Sequence, residues 1–233
     1  MSAGNNKTAL IIGASRGLGY ALAAEFLGRG WTVTATERTP SALHKLAGAS
    51  EGRLTVENLD ITIPEQVTAL RERLSGSQFD LLFVNAGTNY TTDPSATFTN
   101  VSTDDFVRVM VTNSLSPMRV IETLQDLVPQ SGTIGVMSSG QGSVTDNTNG
   151  GFEVYRASKS ALNQLMRSFA ARHADDPRTL LLMAPGWVKT DLGGPSARLT
   201  IDESIPEVTD TIEAQAGRGG LHYLDRHNQS VKW

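Results

Sequence analysis

Apolar residues fall along the chain in two alternating rhythms: short unbroken runs, and longer stretches with helical spacing. The first run, TALII at 8–12, ends in glycine, as a buried strand would. After it, Leu18, Leu22 and Phe26 share one stripe of a helix that Gly28 and Gly30 close. WTVTAT at 31–36 is rich in β-branched residues and predicts the next strand. Val67, Leu70 and Leu74 form a stripe on a short helix after Pro64, and FDLLFVNAG at 79–87 is a further buried strand. Ser102 and Asp105 make an S-x-x-D capping box that opens a long helix through roughly residue 128, which Pro117 should kink. GTIGVMSS, a helix carrying Tyr155, and TLLLMAP at 179–185 continue the alternation, with no internal repeat or low-complexity linker. Strands separated by helices predict a single α/β domain over 1–233: a doubly wound parallel sheet with helices on both faces.

Composition narrows this picture little but usefully. The chain has 233 residues, enough to bury a core without staples, and no cysteine for disulfides or thiolate ligation. A net charge of −4 leaves no electrostatic footprint for nucleic acid or an anionic membrane. The N-terminal MSAGNNKTALIIGAS has one lysine and a short apolar run, too short for a signal or a membrane span, so a cytoplasmic protein is expected. The four histidines (44, 173, 222, 227) show no paired metal spacing, so no metal is expected and surface or packing roles are assigned to them. Trp31 and Trp233 read as packing residues.

In such sheets ligands bind beyond the carboxyl ends of the strands, so chemistry is sought there. The first strand ends in GASRGLG, with glycines at 13, 17 and 19. Gly13 suits a tight turn, Gly17 admits a phosphate to the backbone, and Gly19 lets the helix pack closely on the sheet. The helix N-terminus then offers unpaired N–H groups to a pyrophosphate. Further along, FEVYRASKSALN places Tyr155 and Lys159 four residues apart, on one face of a helix. The ammonium favours the phenolate and should lower the phenol toward working pH.

The glycine spacing is G-x-x-x-G-x-G, and here the sequence resembles the short-chain dehydrogenase/reductase family, classical type. GASRGLG, NLDIT (58–62), VNAG (84–87), MSSG (137–140), YRASK (155–159) and PGWVKTD (185–191) stand in that family's order over nearly the whole chain. The loop 143–151, the stretches YRASKSALN and PGWVKTDLGG, and the closing GGLHYLDRHNQSVKW are similar to the subgroup of sniffer-type carbonyl reductases and bacterial C-factor-like proteins. Two departures stand out: Ile12 replaces a common threonine, and the interval from Ser139 to Tyr155 is somewhat long.

The resemblance implies a Rossmann-type fold with the cofactor held by Gly13, Ser15, Arg16, Gly17, Leu18 and Gly19. Asp60 and Ile61 would hold the adenine, and Asn85, Ala86 and Gly87 would line the next strand end. Pro185, Gly186, Trp187, Val188 and Thr190 would flank the nicotinamide, with Thr190 on its carboxamide. Tyr155 is implied as general acid or base, with Lys159 also bonding the nicotinamide ribose. Ser139 would hold the carbonyl oxygen, Ser138 and Ser143 being the alternatives. Asn113 would fix a water linking the lysine to solvent. Segment 191–215 occupies the place of a substrate-covering loop, hinged at Gly193 and Gly194.

Hydride transfer to a carbonyl builds charge on its oxygen, where a proton donor and hydrogen-bond donors must meet. The expected activity is NAD(P)-dependent reduction of a ketone or aldehyde, or oxidation of the alcohol, on a small-molecule substrate. The alternative is a nucleotide-binding regulatory protein on the same fold. Glu37 stands where an acid reads the adenosine ribose in NAD-using relatives, whereas Arg38 and Arg16 suit a 2′-phosphate. The charge count leans to NADP(H) over NAD(H), with Glu37 turned outward or paired with an arginine. A homodimer or homotetramer joined through the Asn113 and Tyr155 helices is implied, and a monomer fits the subgroup.

Overall fold

Each apolar run becomes a strand buried on both faces of one sheet, in a computed structural model that describes residues 7–233. The N-terminal leader reading falls partly on residues 1–6, which lie outside the described residues. The strands are β1 (Thr8–Ile12), β2 (Thr32–Glu37), β3 (Leu54–Asn58), β4 (Leu81–Val84), β5 (Thr133–Met137), β6 (Thr179–Ala184) and β7 (Gly220–Asp225). All pair in parallel, in the order β3-β2-β1-β4-β5-β6-β7. The helices are α1 (Gly17–Gly28), α2 (Leu43–Ala49), α3 (Pro64–Arg73), α4 (Thr103–Met110), α5 (Ser116–Leu124), α6 (Glu153–Arg172) and α7 (Ile201–Gln215).

The two-residue period of the strands sorts their side chains onto two cores. Leu10, Ile12, Leu82, Val84, Ile134, Val136, Leu180 and Leu182 face α3, α5 and α6. Ala9, Ile11, Leu81, Phe83, Leu181 and Met183 face α1 and α7. The sheet reverses winding between β1 and β4, and the crevice beyond their carboxyl ends is where such folds take a ligand.

The structure departs from the sequence reading in three places. The long helix expected after Ser102 is not one α-helix. Ser102 does cap α4, accepting the Asp105 N–H at 3.0 Å. The chain then passes through a π-helical turn at Val111–Leu115 before α5, and ends in a 3-10 turn at Gln125–Leu127. Pro117 has no N–H and cannot supply an α-helical bond, so the ladder widens by one residue just before it. Second, segment 191–215 is not all loop. From Ile201 it is α7, opened by a full capping box between Thr200 and Glu203 and buried through Ile205, Val208 and Ile212. The irregular part of the segment therefore ends near residue 200. Third, Gly193 is pinned: its N–H donates to Thr190 Oγ1 at 3.0 Å and its carbonyl accepts the Trp187 indole N–H at 2.7 Å. A hinge there is not supported.

The middle of the sheet depends on one matched pair. Phe83 on β4 stands opposite Gly135 on β5, and a Cβ on Gly135 would meet the Phe83 ring at 2.5 Å. Gly135→Val should destabilise the fold by about 2 kcal/mol through overpacking. Adding Phe83→Leu should return part of that loss, because the two sites share one space. Urea unfolding of both variants measures this; additive losses would show that the pair is not coupled.

Candidate active site

β1 delivers the chain into a turn that two neighbouring strands clamp. The Gly13 N–H donates to Thr36 Oγ1 at 2.9 Å, and its carbonyl accepts the Asn85 amide at 2.8 Å. Gly13 has φ +86, and a Cβ there would lie 2.7 Å from that of Ala86. Only glycine fits both conditions. Gly19 backs the same turn: a Cβ on it would sit 2.1 Å from the Gly13 carbonyl. Gly19 was expected to touch the cofactor, yet it does not line the cleft and acts by letting α1 approach. α1 starts at Gly17 with no side-chain cap and no acid in its first turn. Its free N–H groups and positive end are thus left for an anion.

The cleft at this end has a volume of about 1320 Å³, beyond the roughly 300–1,000 Å³ of an ordinary small-molecule pocket. Ser15, Arg16, Gly17 and Leu18 line it, with Asn85, Ala86 and Gly87 beside them. At another end of the cleft stand Glu37, Arg38, Asp60 and Ile61, all four among the expected adenosine contacts. Asp60 closes a turn through Oδ1, which accepts the Thr62 N–H at 2.9 Å and hydroxyl at 2.7 Å. Glu37 pairs with neither arginine, contrary to one of the expected arrangements. It is 4% exposed, with Oε2 2.5 Å from the Ser41 hydroxyl and Oε1 2.7 Å from His44 Nε2. Arg16 instead meets Asp191 at 2.6 Å across the cleft, an exposed pair.

The reacting end is assembled from β5 and α6. Phe152, in the left-handed region at φ 50, turns the chain into α6 so that Tyr155 lies in its first turn. Ser139, Tyr155 and Lys159 all line the cleft. Lys159 is 3% exposed, donates to the Met137 carbonyl at 2.8 Å, and stands 5.8 Å from the Tyr155 ring centroid. Burial pushes its ammonium down to about 8. Burial also pushes the Tyr155 phenol up to about 12, against a hydrogen bond from Ser139 that opposes the rise. The direction is opposite to the lowering expected from the lysine, and desolvation is its largest cause.

Of the three candidate serines, Ser139 alone lines the cleft with its hydroxyl proton not given to a backbone or amide acceptor; its Oγ accepts the Gln141 N–H at 3.1 Å. Ser138 donates to Asn163 Oδ1 at 2.6 Å, and Ser143 accepts the Asp146 N–H at 3.0 Å. Neither lines the reacting corner as Ser139 does beside Tyr155: Ser143 is absent from the cleft lining, and the Ser138 hydroxyl is spent. Tyr223 fixes the backbone here by donating to the Ser139 carbonyl. Asn113 does not reach the cleft. Its amide holds both polar groups of the Thr88 backbone at 2.8 Å and donates to Ser158 at 2.9 Å, and Ser158 in turn donates to the Tyr155 carbonyl at 2.7 Å. Pro117, four residues on, leaves the Asn113 carbonyl without its α-helical donor.

Pro185, Gly186, Trp187, Val188 and Thr190 form the opposite lip. Thr190 lies against the glycine turn, 3.7 Å from where a Gly17 Cβ would be. Thr36, His44, Ser158, Asn163 and Tyr223 were not read as site residues from the sequence. Thr36 supplies the turn hydroxyl from β2, which the missing threonine at Ile12 could have signalled. Ser158, three residues after Tyr155, was visible as the serine of YRASK. Asn163 and Tyr223 depend on long-range packing, and His44 on the irregular path of residues 38–44. Among the described residues no cluster of His, Asp and Glu could hold a metal, and no helix is long and apolar enough to cross a membrane.

Comparison with known proteins agrees with this geometry. The family model described as short chain dehydrogenase matches residues 7–198. The chain belongs to the short-chain dehydrogenase family. A short-chain dehydrogenase/reductase of Burkholderia multivorans, solved with bound NADP, is 60% identical with a TM-score of 0.95, covering 98% of this chain and all of that one. The carbonyl reductase Sniffer of D. melanogaster is 25% identical with a TM-score of 0.86, over 98% of this chain and 100% of that chain. A 1-hydroxy-2-glutathionyl-2-methyl-3-butene dehydrogenase of Rhodococcus is 33% identical over 79% of each chain. As a family member the chain is an NAD(P)-dependent oxidoreductase, and the regulatory alternative is not favoured.

A buried lysine in a dehydrogenase site should lower stability. Its folded value is about 8 against an unfolded 10.5, so the charge must be desolvated in full below pH 8. Between pH 8 and 10.5 the unfolded chain holds more protons, and stability rises with pH. Lys159→Met should therefore stabilise the fold at pH 7, by at most roughly 3 kcal/mol. The advantage should fade through this window and vanish above it. Denaturation midpoints at pH 7 and pH 10.5 check the sign; a variant less stable at pH 7 would refute it.

Proposed function

We propose that the chain reduces a small-molecule ketone or aldehyde, or oxidises the matching alcohol, with NADP(H) preferred to NAD(H). The observation that carries this reading is the meeting of Ser139, Tyr155 and Lys159 at one end of a cleft whose other end is an uncapped helix N-terminus. The cradle suits a dinucleotide: α1 offers N–H groups to the pyrophosphate, and Arg38 stands at the adenosine end with no ion-pair partner among the described residues. When bound, the nicotinamide supplies or takes up a hydride.

The protein's own residues then manage charge and protons. Ser139 donates a hydrogen bond to the carbonyl oxygen and orients it toward Tyr155. Tyr155 gives its proton to that oxygen in reduction, and a phenol near 12 is fully protonated at neutral pH for the task. Lys159, bonded to the Met137 carbonyl beneath, keeps a positive charge beside the phenol and favours the phenolate left behind. Asn113 is a positioning residue: it ties Thr88 to the turn that carries Tyr155. Trp187, Phe152 and Leu192 offer apolar contact to the substrate, and Thr88, Asn89 and Arg108 polar contact. Val107, Leu115 and Leu165 expose apolar side chains on the helices that would meet a second copy, which supports the expected oligomer.

Tyr155→Phe keeps the ring and removes only the proton donor. Turnover should fall roughly 100- to 10,000-fold, while the Kd for NADPH stays within about twofold. Stopped-flow reduction of a carbonyl panel and fluorescence titration of cofactor measure the two. Near wild-type turnover in the variant would overturn the assignment.

A further inference from the structure

We infer that Ser41 and His44 are positioning residues for cofactor choice, holding the Glu37 carboxylate away from the adenosine 2′ position so that Arg38 alone meets a 2′-phosphate. The inference rests on the proposed NADP(H) reading and explains how a chain with an acid at this position could prefer it. Glu37 ends β2 and lines the cleft, where a free carboxylate would accept hydrogen bonds from a ribose diol and repel a phosphate. It is not free. Ser41 donates to one oxygen at 2.5 Å and His44 Nε2 meets the other at 2.7 Å.

Ser41, one of the two clasping groups, is itself held. The Leu43 N–H donates to Ser41 Oγ at 3.2 Å, which fixes the hydroxyl at the start of α2. His44 lies in the first turn of that helix, and its side chain is 60% exposed while that of Glu37 is 4% exposed. The carboxylate is thus drawn to the α2 side and covered there. Arg38, the next residue, has its carbonyl bonded by the Asn58 amide at 2.9 Å, so the backbone that presents the guanidinium is anchored to β3. Arg38 lies just past the strand end and lines the same cleft. A clasp on Glu37 therefore sets the sign of the charge at the cleft edge without removing the acid.

The probes are adenosine 2′,5′-bisphosphate and adenosine 5′-monophosphate, which engage only this end of the cleft, titrated calorimetrically against the full chain. NADPH and NADH specificity, as kcat/KM, is measured beside them. The wild type should prefer the 2′-phosphorylated member of each pair. Ser41→Ala/His44→Ala should cut that preference about tenfold or more, chiefly through Kd and KM, not kcat. Adding Glu37→Gln to the double variant should restore it, since the lost discrimination acts through that carboxylate. His44→Gln, which keeps a donor on an exposed side chain, should retain most of the preference and guards against a folding artefact. Arg38→Ala should abolish it in every background. If Arg38→Ala abolishes the preference but the double variant keeps it, the clasp is wrong and the cofactor reading stands. Failure of Glu37→Gln to restore the preference also overturns the clasp. If the wild type shows no preference, or Arg38→Ala leaves it intact, the NADP(H) reading fails and takes the inference with it.

Discussion

The site depends on how closely the end of β4 approaches the turn after β1. Ala86 lies where a side chain on Gly13 would have to be, and the Asn85 amide reaches the Gly13 carbonyl. That contact fixes the cofactor cradle relative to the strand end from which Thr88 leads toward Asn113 and the Tyr155 turn. A shift of an ångström at Gly13 would separate two halves that chemistry needs in register. Thr36 and Gly19 prevent such a shift from the remaining two sides.

The reacting corner sets a different demand. Tyr155 and Lys159 are withdrawn from water, and withdrawal moves both groups toward their neutral forms. A single backbone carbonyl, that of Met137, is the hydrogen-bond partner recorded for the lysine. The protein thus tolerates a poorly solvated cation at the end of its central sheet, in exchange for a strong local field. Sites of this kind trade stability for reactivity.

Much of the arrangement was legible because it rests on local rules. TALII reads as a strand from its unbroken apolar run, and Tyr155 and Lys159 share a face from helical spacing alone. The glycines of GASRGLG announced a turn before a helix. The failures have equally physical causes. The break at Val111–Leu115 was hidden because Pro117 signals a disturbed helix but not whether it kinks or widens. The helical part of segment 191–215 gives little local signal, because Asp202, Glu203 and Ser204 fill most of its first turn and Pro206 lies within it. Glu37 was assigned a ribose or an arginine because its real partners come from residues 38–44, whose path no periodicity describes.

The π-turn has a bearing on how this protein could have been altered by descent. A π-turn carries one residue more than the α-turn it replaces, and each residue rotates a helix by about 100°. Loss of a single codon between residues 111 and 115 would leave α4 and α5 individually sound. It would also wind one about the other by more than a quarter of a circle, carrying Asn113 off the Thr88 backbone and away from Ser158. Five residues with no charged side chain among them thus set the reading frame of the active site.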